Sequence, residues 1–192
     1  RASLGTDTLE AFIGHARKHP GTLSYGSAGN GTTPHLAGEL LKQAKGITAA
    51  HAPYRGVAPA IQDLLGGQID FAFGPATVFP MVQTGKLKVL AVASRKRASV
   101  APEIRTFSET GIDGVFADSL FGVYAPAGAR TEVVERLNRE LNKVLARPDV
   151  RGRFLEAGAE AAPLRPAEYA AMVQEEKRLF TAVVKRLDLK AD

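Results

Sequence analysis

The sequence predicts an α/β protein with a mainly parallel sheet flanked by helices. Short apolar segments bounded by glycine or proline alternate with amphipathic segments at helical spacing along residues 5–118. One apolar segment, residues 87–93, is nearly continuous, as expected for a parallel strand that is buried on both faces. Alternation of this kind is typical of βαβ units, which place helices on both sides of one sheet.

Boundaries of the elements in the first part of the chain are set mainly by proline and glycine, which end helices and strands. Four strands are predicted, near residues 22–26, 47–52, 69–73 and 87–93. Four helices are predicted, over residues 6–18 with Thr6 and Asp7 at the start, 33–46, 59–66 with Pro59 at the start, and 77–84. A further short helix is predicted near residues 106–110, in an otherwise irregular connection.

Residues 119–192 have a different pattern, in which helices dominate. One strand is predicted over residues 120–124, and three helices are predicted over residues 131–147, 148–157 and 166–188, with Thr131 as the cap of the first and Leu187 as the last apolar position. The first and last of these helices present long apolar faces. Apolar surface of this extent tends to find a partner, so the sequence predicts self-association through residues 119–192.

Residues 25–35 (YGSAGNGTTPH) combine a strand end, a glycine-rich turn and a helix start. Thr32 or Thr33 suits the helix cap, and Pro34 suits the first helical position. Free N–H groups at a helix start favour an anion. The predicted donors are the N–H groups of residues 29–33, the hydroxyls of Ser27 and Thr32, and the Asn30 amide. The pattern matches neither the dinucleotide fingerprint nor the phosphate loop, and a turn without a ligand is the alternative.

Three predicted strands end in loops of small residues. The strand ends are Tyr25–Gly26, Pro53–Tyr54 and Phe73–Gly74. Carboxyl ends of parallel strands lie at one edge of a sheet, and ligands of such sheets bind beyond that edge. The convergence favours an anion site at residues 25–35 over a plain turn.

Composition excludes several classes of protein. The 192 residues carry a net charge of +5, and the only tight basic cluster is Arg95-Lys96-Arg97, which is too small for a nucleic-acid surface. The absence of cysteine excludes disulfides and thiolate metal sites. His15 and His19 are four residues apart on a helix but have no third ligand nearby in sequence. We therefore predict no metal, no cofactor and no nucleic-acid partner.

An enzyme is also not predicted. Ser27, His35 and Asp70 could be combined into a hydrolytic triad on paper, but no G-x-S-x-G pattern surrounds the serine. His35 falls in the first turn of a helix, where a histidine more often makes a local hydrogen bond than acts as a base. We assign no catalytic residue.

Five segments in order resemble one family over essentially the whole chain. They are residues 25–35, 52–59 (APYRGVAP), 63–70 (DLLGGQID), 85–94 (GKLKVLAVAS) and 121–128 (FGVYAPAG). The series resembles the Bug (TctC-like) receptors, the extracytoplasmic solute-binding proteins of tripartite tricarboxylate transporters. The resemblance implies a type II periplasmic-binding-protein fold, a periplasmic location and a small organic carboxylate as ligand. It also implies delivery of that ligand to membrane transporter subunits or to a signalling partner.

The resemblance also implies a domain assignment. Residues 5–118 match the complete second lobe, and residues 119–192 match the returning C-terminal part of the first lobe, without the N-terminal part of that lobe. The ligand-binding residues implied by the resemblance are Ser27, Gly29, Asn30, Gly31, Thr32, His35, Gly56, Val57, Ala58 and Gly74. The alternative is the effector-binding domain of a LysR-type transcriptional regulator, which shares the broad fold and size.

Overall fold

The protein is described by a computed structural model, which covers residues 1–186 and residue 188. The chain divides into two compact units. The sheet unit comprises residues 1–118 together with the end of the last helix from Val183 onward, and the helical unit comprises residues 119–182. No helix among the described residues combines the length and the apolar character that crossing a membrane requires.

A three-stranded parallel sheet forms the centre of the sheet unit. The strands are β1 (Leu23–Ser27), β2 (Ala49–Pro53) and β3 (Phe71–Ala72), in the order β2-β1-β3. Tyr25 of the central strand lies opposite His51 on one side and Phe71 on the other. The α/β class and three of the four strands predicted for this region are therefore confirmed, with β2 displaced by about two residues and β3 much shorter than predicted.

Four helices accompany the sheet: α1 (Leu9–Lys18), α2 (Thr33–Lys45), α3 (Val57–Leu65) and α4 (Phe79–Gln83). The cap of α1 is Thr8, whose hydroxyl accepts from the Ala11 N–H, so the predicted start at Thr6 and Asp7 is too early. Gly46 ends α2 with a φ of 60°, as glycine commonly does. Helix α3 begins two residues before the predicted Pro59.

The core lies where α2 packs directly on the central strand. Tyr25 of β1 is completely buried. A Cβ atom on Gly38 of α2 would overlap the Tyr25 ring, so only glycine at this position admits the ring. A second apolar cluster joins Ile61 and Leu64 of α3 to Ile69 and Leu87. These contacts fix the starts of α2 and α3 relative to β1.

The predicted strand at residues 87–93 is wrong. Only Val92 forms a bridge, with Thr106, and Lys88 is exposed. The apolar run does predict burial at Leu87, which joins the core. Beyond that bridge, the Ala117 N–H donates to the Ala93 carbonyl at 2.8 Å, but the segment forms no strand ladder with the described residues. A strand needs a neighbouring strand as well as apolar side chains.

The helical unit contains α5 (Thr131–Leu145), α6 (Pro148–Glu156) and the greater part of α7 (Pro166–Arg186). Arg130, not the predicted Thr131, is the cap residue of α5. The predicted strand at residues 120–124 is wrong, because this segment has no strand pairing among the described residues and Phe121 is 89% exposed. The predicted apolar position Leu187 lies outside the described residues.

Candidate functional site

Three strands end at the same edge of the sheet. In the register, Ser27 lies opposite Pro53, and Gly26 lies opposite Ala72. The loops at residues 28–32, 54–56 and 73–75 follow these strand ends. The site residues predicted from the sequence all belong to this edge, at the end of β1, in these loops or in the first turns of α2 and α3.

Two helices begin at this edge with uncapped first turns. Thr32 is the cap residue of α2 and Gly56 that of α3, and neither cap residue makes a side-chain capping hydrogen bond to its helix. The first N–H groups of an α-helix have no partner within the helix. Thr33, Val57 and Ala58 therefore present donors at the positive ends of two helix dipoles, which is an arrangement that attracts an anion.

The glycine-rich loop uses several of its own donors internally. The Gly29 N–H donates to Ser27 Oγ at 3.1 Å, and the Gly31 N–H donates to His35 Nδ1 at 3.0 Å. The Thr32 hydroxyl donates to the Gly29 carbonyl at 2.7 Å, and the Thr32 N–H points to the same carbonyl at 3.4 Å. Tertiary geometry thus pairs these N–H groups and the Thr32 hydroxyl within the loop, and their contact with a ligand stays a prediction.

Ser27 is also engaged within the protein. Its side chain is 1% exposed, and its Oγ shares a hydrogen bond with His51 Nε2 at 2.7 Å. The same hydroxyl lies 3.1 Å from the Gly29 carbonyl. A hydroxyl this deeply buried and bonded supports the loop from within, and a direct contact of Ser27 with a ligand stays a prediction.

Two histidine rings stack below the loop. The imidazoles of His35 and His51 are 3.9 Å apart and almost parallel, with an angle of 5°. The Tyr25 ring stacks on His51 at 4.9 Å. His35 makes a local hydrogen bond, as predicted. His51 was not predicted, because only the strand register reveals that it lies beside Tyr25 and below Ser27.

Both imidazoles are kept neutral by their surroundings. Burial lowers the pKa of His35, with Glu39 opposing the shift and Lys42 adding to it. Burial and the neighbouring His35 lower the pKa of His51 to about 4. A neutral imidazole has one nitrogen that donates and one that accepts. His35 Nδ1 accepts from Gly31, so the proton of His35 is on Nε2.

A hydrogen-bond network supports this stack from below. The Tyr25 hydroxyl donates to Glu39 Oε1 at 2.7 Å, and Lys42 Nζ donates to the same oxygen at 2.6 Å. Burial alone would raise the pKa of Glu39, but the hydrogen bonds from Lys42 and Tyr25 outweigh it and the pKa lies below its usual value. Glu39 is thus ionised and fixes the Tyr25 ring against the stack.

The triad that could be written from the sequence does not form. Asp70 Oδ2 accepts from the Ser24 N–H at 2.8 Å, and Asp70 Oδ1 pairs with Arg1 at 2.9 Å. Ser27 contacts His51 instead of His35. The carboxylate of Asp70 joins β1 to the start of β3 and has a structural role.

The remaining predicted residues take clear positions at the edge. Gly56 has a φ of 119°, which side chains rarely tolerate, and this turn starts α3 at Val57. Gly74 follows β3, and a Cβ there would lie 3.3 Å from Ile61 Cδ1, so the backbone of this loop packs closely on α3.

A separate shallow cavity of about 250 Å³ is lined in part by Ile13, Arg17 and Ile112.

Comparisons with known proteins agree on one family. The model of the tripartite tricarboxylate transporter family receptor, TctC, matches residues 1–189. The protein BugT of Bordetella pertussis is 30% identical over 97% of this chain and 58% of its own length. The structure of R. palustris Rpa4515 with adipate has a TM-score of 0.86 at 30% identity, over 99% of this chain and 64% of that one.

A second solved structure is similar to the same extent. MatC from Rhodopseudomonas palustris with bound malate has a TM-score of 0.80 at 28% identity, over 96% of this chain and 64% of that chain. The chain spans about half the length of the curated relatives it matches.

Proposed function

This chain belongs to the family of tripartite tricarboxylate transporter receptors, and from that premise we propose that it binds a small organic carboxylate outside the cytoplasm and passes it to a membrane transporter. Receptors of this family bind solutes and do not catalyse reactions. In this proposal, residues 5–118 correspond to the second lobe of the receptor and residues 119–192 to the returning part of the first lobe. The periplasm is the proposed compartment.

One observation carries the proposal. The uncapped first turns of α2 and α3 begin at the same edge of the sheet, next to a glycine-rich loop. Each contributes unpaired N–H groups and the positive end of a helix dipole. A carboxylate is an ionised acceptor, and hydrogen bonds from backbone N–H groups to an ionised acceptor are stronger than those to a neutral one. The edge therefore suits a carboxylate ligand.

The ligand contacts are divided between backbone and side chains. We propose that Thr33, Val57 and Ala58 bind the carboxylate through their N–H groups, with Asn30 adding a side-chain contact. Gly56 and Gly74 allow the ligand to approach the backbone. The other residues of the site act by shaping the loop: Ser27, Gly29, Gly31, Thr32 and His35.

Dicarboxylates are the proposed substrate class. Two structures similar to this chain, Rpa4515 and MatC, were solved with adipate and malate. Each charge-assisted hydrogen bond contributes about 1.5–3 kcal/mol, and several kcal/mol of association entropy oppose binding. Together these contributions give a binding free energy of about −4 kcal/mol, which corresponds to a dissociation constant of roughly 1 mM.

An effector-binding domain of a LysR-type regulator is not favoured. The receptor family model accounts for residues 1–189, and the solved structures similar to the chain include a periplasmic transporter and the periplasmic binding protein BugD.

The proposal is tested by NMR titration of the 192-residue chain with succinate at neutral pH. We expect the amides of residues 29–33 and 56–58 to shift, with half-saturation near 1 mM. Asn30→Asp places a negative charge in the loop and should weaken binding by about tenfold or more. Gln43→Glu makes the same charge change at an exposed position of α2 and serves as the control. Unmoved amides at tens of millimolar succinate, or equal binding by Asn30→Asp, would contradict the proposal.

A further inference from the structure

The stacked imidazoles of His35 and His51 connect two separate points of the glycine-rich loop. His51 Nε2 is 2.7 Å from Ser27 Oγ, where β1 ends. His35 Nδ1 accepts from the Gly31 N–H at 3.0 Å, in the middle of the loop. The two rings are parallel at 3.9 Å. The start and the middle of the loop are thus tied to one rigid pair of rings.

The histidine pair is itself fixed from both sides. His35 belongs to the first turn of α2 and is 5% exposed, and His51 lies on β2 opposite Tyr25. Tyr25 stacks on His51, and its hydroxyl donates to Glu39, which is paired with Lys42. The position of the pair is therefore determined by the core of the sheet unit, not by the loop.

A loop of this composition needs such support. Gly29 and Gly31 have φ values of 124° and 73°, and glycine loses more conformational entropy on ordering than any other residue. If a ligand had to order the loop, that entropy cost would make the free energy of binding less favourable. Hydrogen bonds from a fixed element order the loop in advance.

We propose that His35 and His51 are positioning residues, which hold the glycine-rich loop in its anion-binding shape through the hydrogen bonds of their imidazole nitrogens with Gly31 and Ser27. The inference rests on the proposed function, because it concerns the same site. It assigns His51 a role that the sequence does not indicate. It also gives His35 a role through Gly31, without contact to the ligand.

Paired variants separate hydrogen bonding from packing. In His35→Asn the side-chain oxygen replaces Nδ1 as acceptor for Gly31, and in His51→Gln the amide replaces Nε2 beside Ser27. The variants His35→Leu and His51→Leu keep a large side chain that fills the space but cannot form a hydrogen bond. His15→Gln on α1 is the control, since this histidine is outside the site.

Succinate is the probe, and the amide shifts of Thr33 and Ala58 are the readout. We expect each Leu variant to bind about tenfold or more weakly than the wild type, and each amide variant to recover most of that loss, to within about threefold. His15→Gln should bind like the wild type. Leu variants that bind as tightly as the wild type would overturn the inference. Equal losses in the amide and Leu variants would overturn it too, because hydrogen bonding would then not matter.

A second measurement needs no variant and remains informative if a Leu variant fails to fold. Nitrogen-15 spectra of the wild type at neutral pH should show a proton on Nε2 of His35 and none on Nδ1. A proton on Nδ1 would overturn the inference. If the wild type binds no succinate, the proposed function fails and this inference with it. If the wild type binds and only the imidazole results disagree, this inference alone fails.

Discussion

The sheet unit and the helical unit use apolar residues in different ways. In the sheet unit, Tyr25, Leu41 and Leu64 are buried between helices and a sheet. Among residues 119–182, all of which the structure describes, no side chain is buried. Helix α5 is strongly amphipathic, yet Leu137 on its apolar face is 51% exposed.

The difference shows that an apolar pattern predicts a helix and its apolar face but does not predict that this face is buried. Periodicity specifies a helix and the face that would be buried, but burial itself requires a partner surface. The sheet unit provides partners from its own elements, whereas α5 has an apolar face with little covering it among the described residues. Stability of the two units should therefore respond differently to the same kind of substitution.

The largest difference is expected for leucine truncation. Leu64→Ala removes a side chain from the core cluster of α3 and should lower the free energy of unfolding by about 2–5 kcal/mol. Leu137→Ala in α5 should change it by about 0.5 kcal/mol or less, because about half of this residue is already in water. Urea unfolding followed by circular dichroism measures both. Equal losses would mean that α5 is as well packed as α3.

A smaller contrast is expected for glycine. Gly38→Ala forces a Cβ against the buried Tyr25 ring, and such overpacking should lower the free energy of unfolding by about 1–3 kcal/mol. A Cβ on Gly152 of α6 would meet nothing within 4 Å, so Gly152→Ala should raise it by about 0.5–1 kcal/mol through helix propensity. The same urea experiment applies. A neutral Gly38→Ala would show that the packing of α2 on β1 is loose.

The exposed face of α5 predicts self-association of the chain. Each large apolar side chain left in water forgoes about 1.5–3 kcal/mol of burial. Light scattering at high micromolar concentration should show species larger than a monomer, and Leu137→Glu with Leu141→Glu should reduce them. Gln43→Glu with Gln62→Glu makes the same charge change at exposed positions of the sheet unit and should not. A wild type that is entirely monomeric would contradict this prediction.

The smallest effect is a pH dependence that comes from a histidine of the sheet unit, which contains all four histidines. The folded-state pKa of His51 is about 4, against 6.5 for the ordinary side chain. In this window the unfolded chain binds a proton that the folded chain does not. Stability is therefore full above about pH 6.5 and declines as the pH falls towards 4. Solvent screening keeps the effect modest. His51→Gln should flatten the decline in urea unfolding, and an identical pH profile would contradict the assignment.

Much of the fold follows from local sequence signals. Helix α2 was predicted almost to the residue, because Thr32 and Gly46 mark its ends. Segments 87–93 and 120–124 were mistaken for strands, since apolar and β-prone residues predict a strand but not whether a neighbour exists to pair with it.

The sequence predicts the candidate site at the level of the loop but not of the atom. The end of β1 and the small residues of positions 26–32 carry that prediction. The sequence could not reveal that the N–H groups of Gly29 and Gly31 are used internally, nor that His51 lies below Ser27. Both facts depend on the register between β1 and β2 and on the packing of α2, which arise from tertiary structure.

The most direct test of the carboxylate site is a crystal structure of the chain with bound succinate. We predict a carboxylate oxygen within about 2.7–3.2 Å of a backbone nitrogen of Thr33, Val57 or Ala58, with the glycine-rich loop still bonded to His35. Succinate bound instead at the shallow cavity beside Arg17 and Ile112, with the sheet edge holding no carboxylate, would contradict the account.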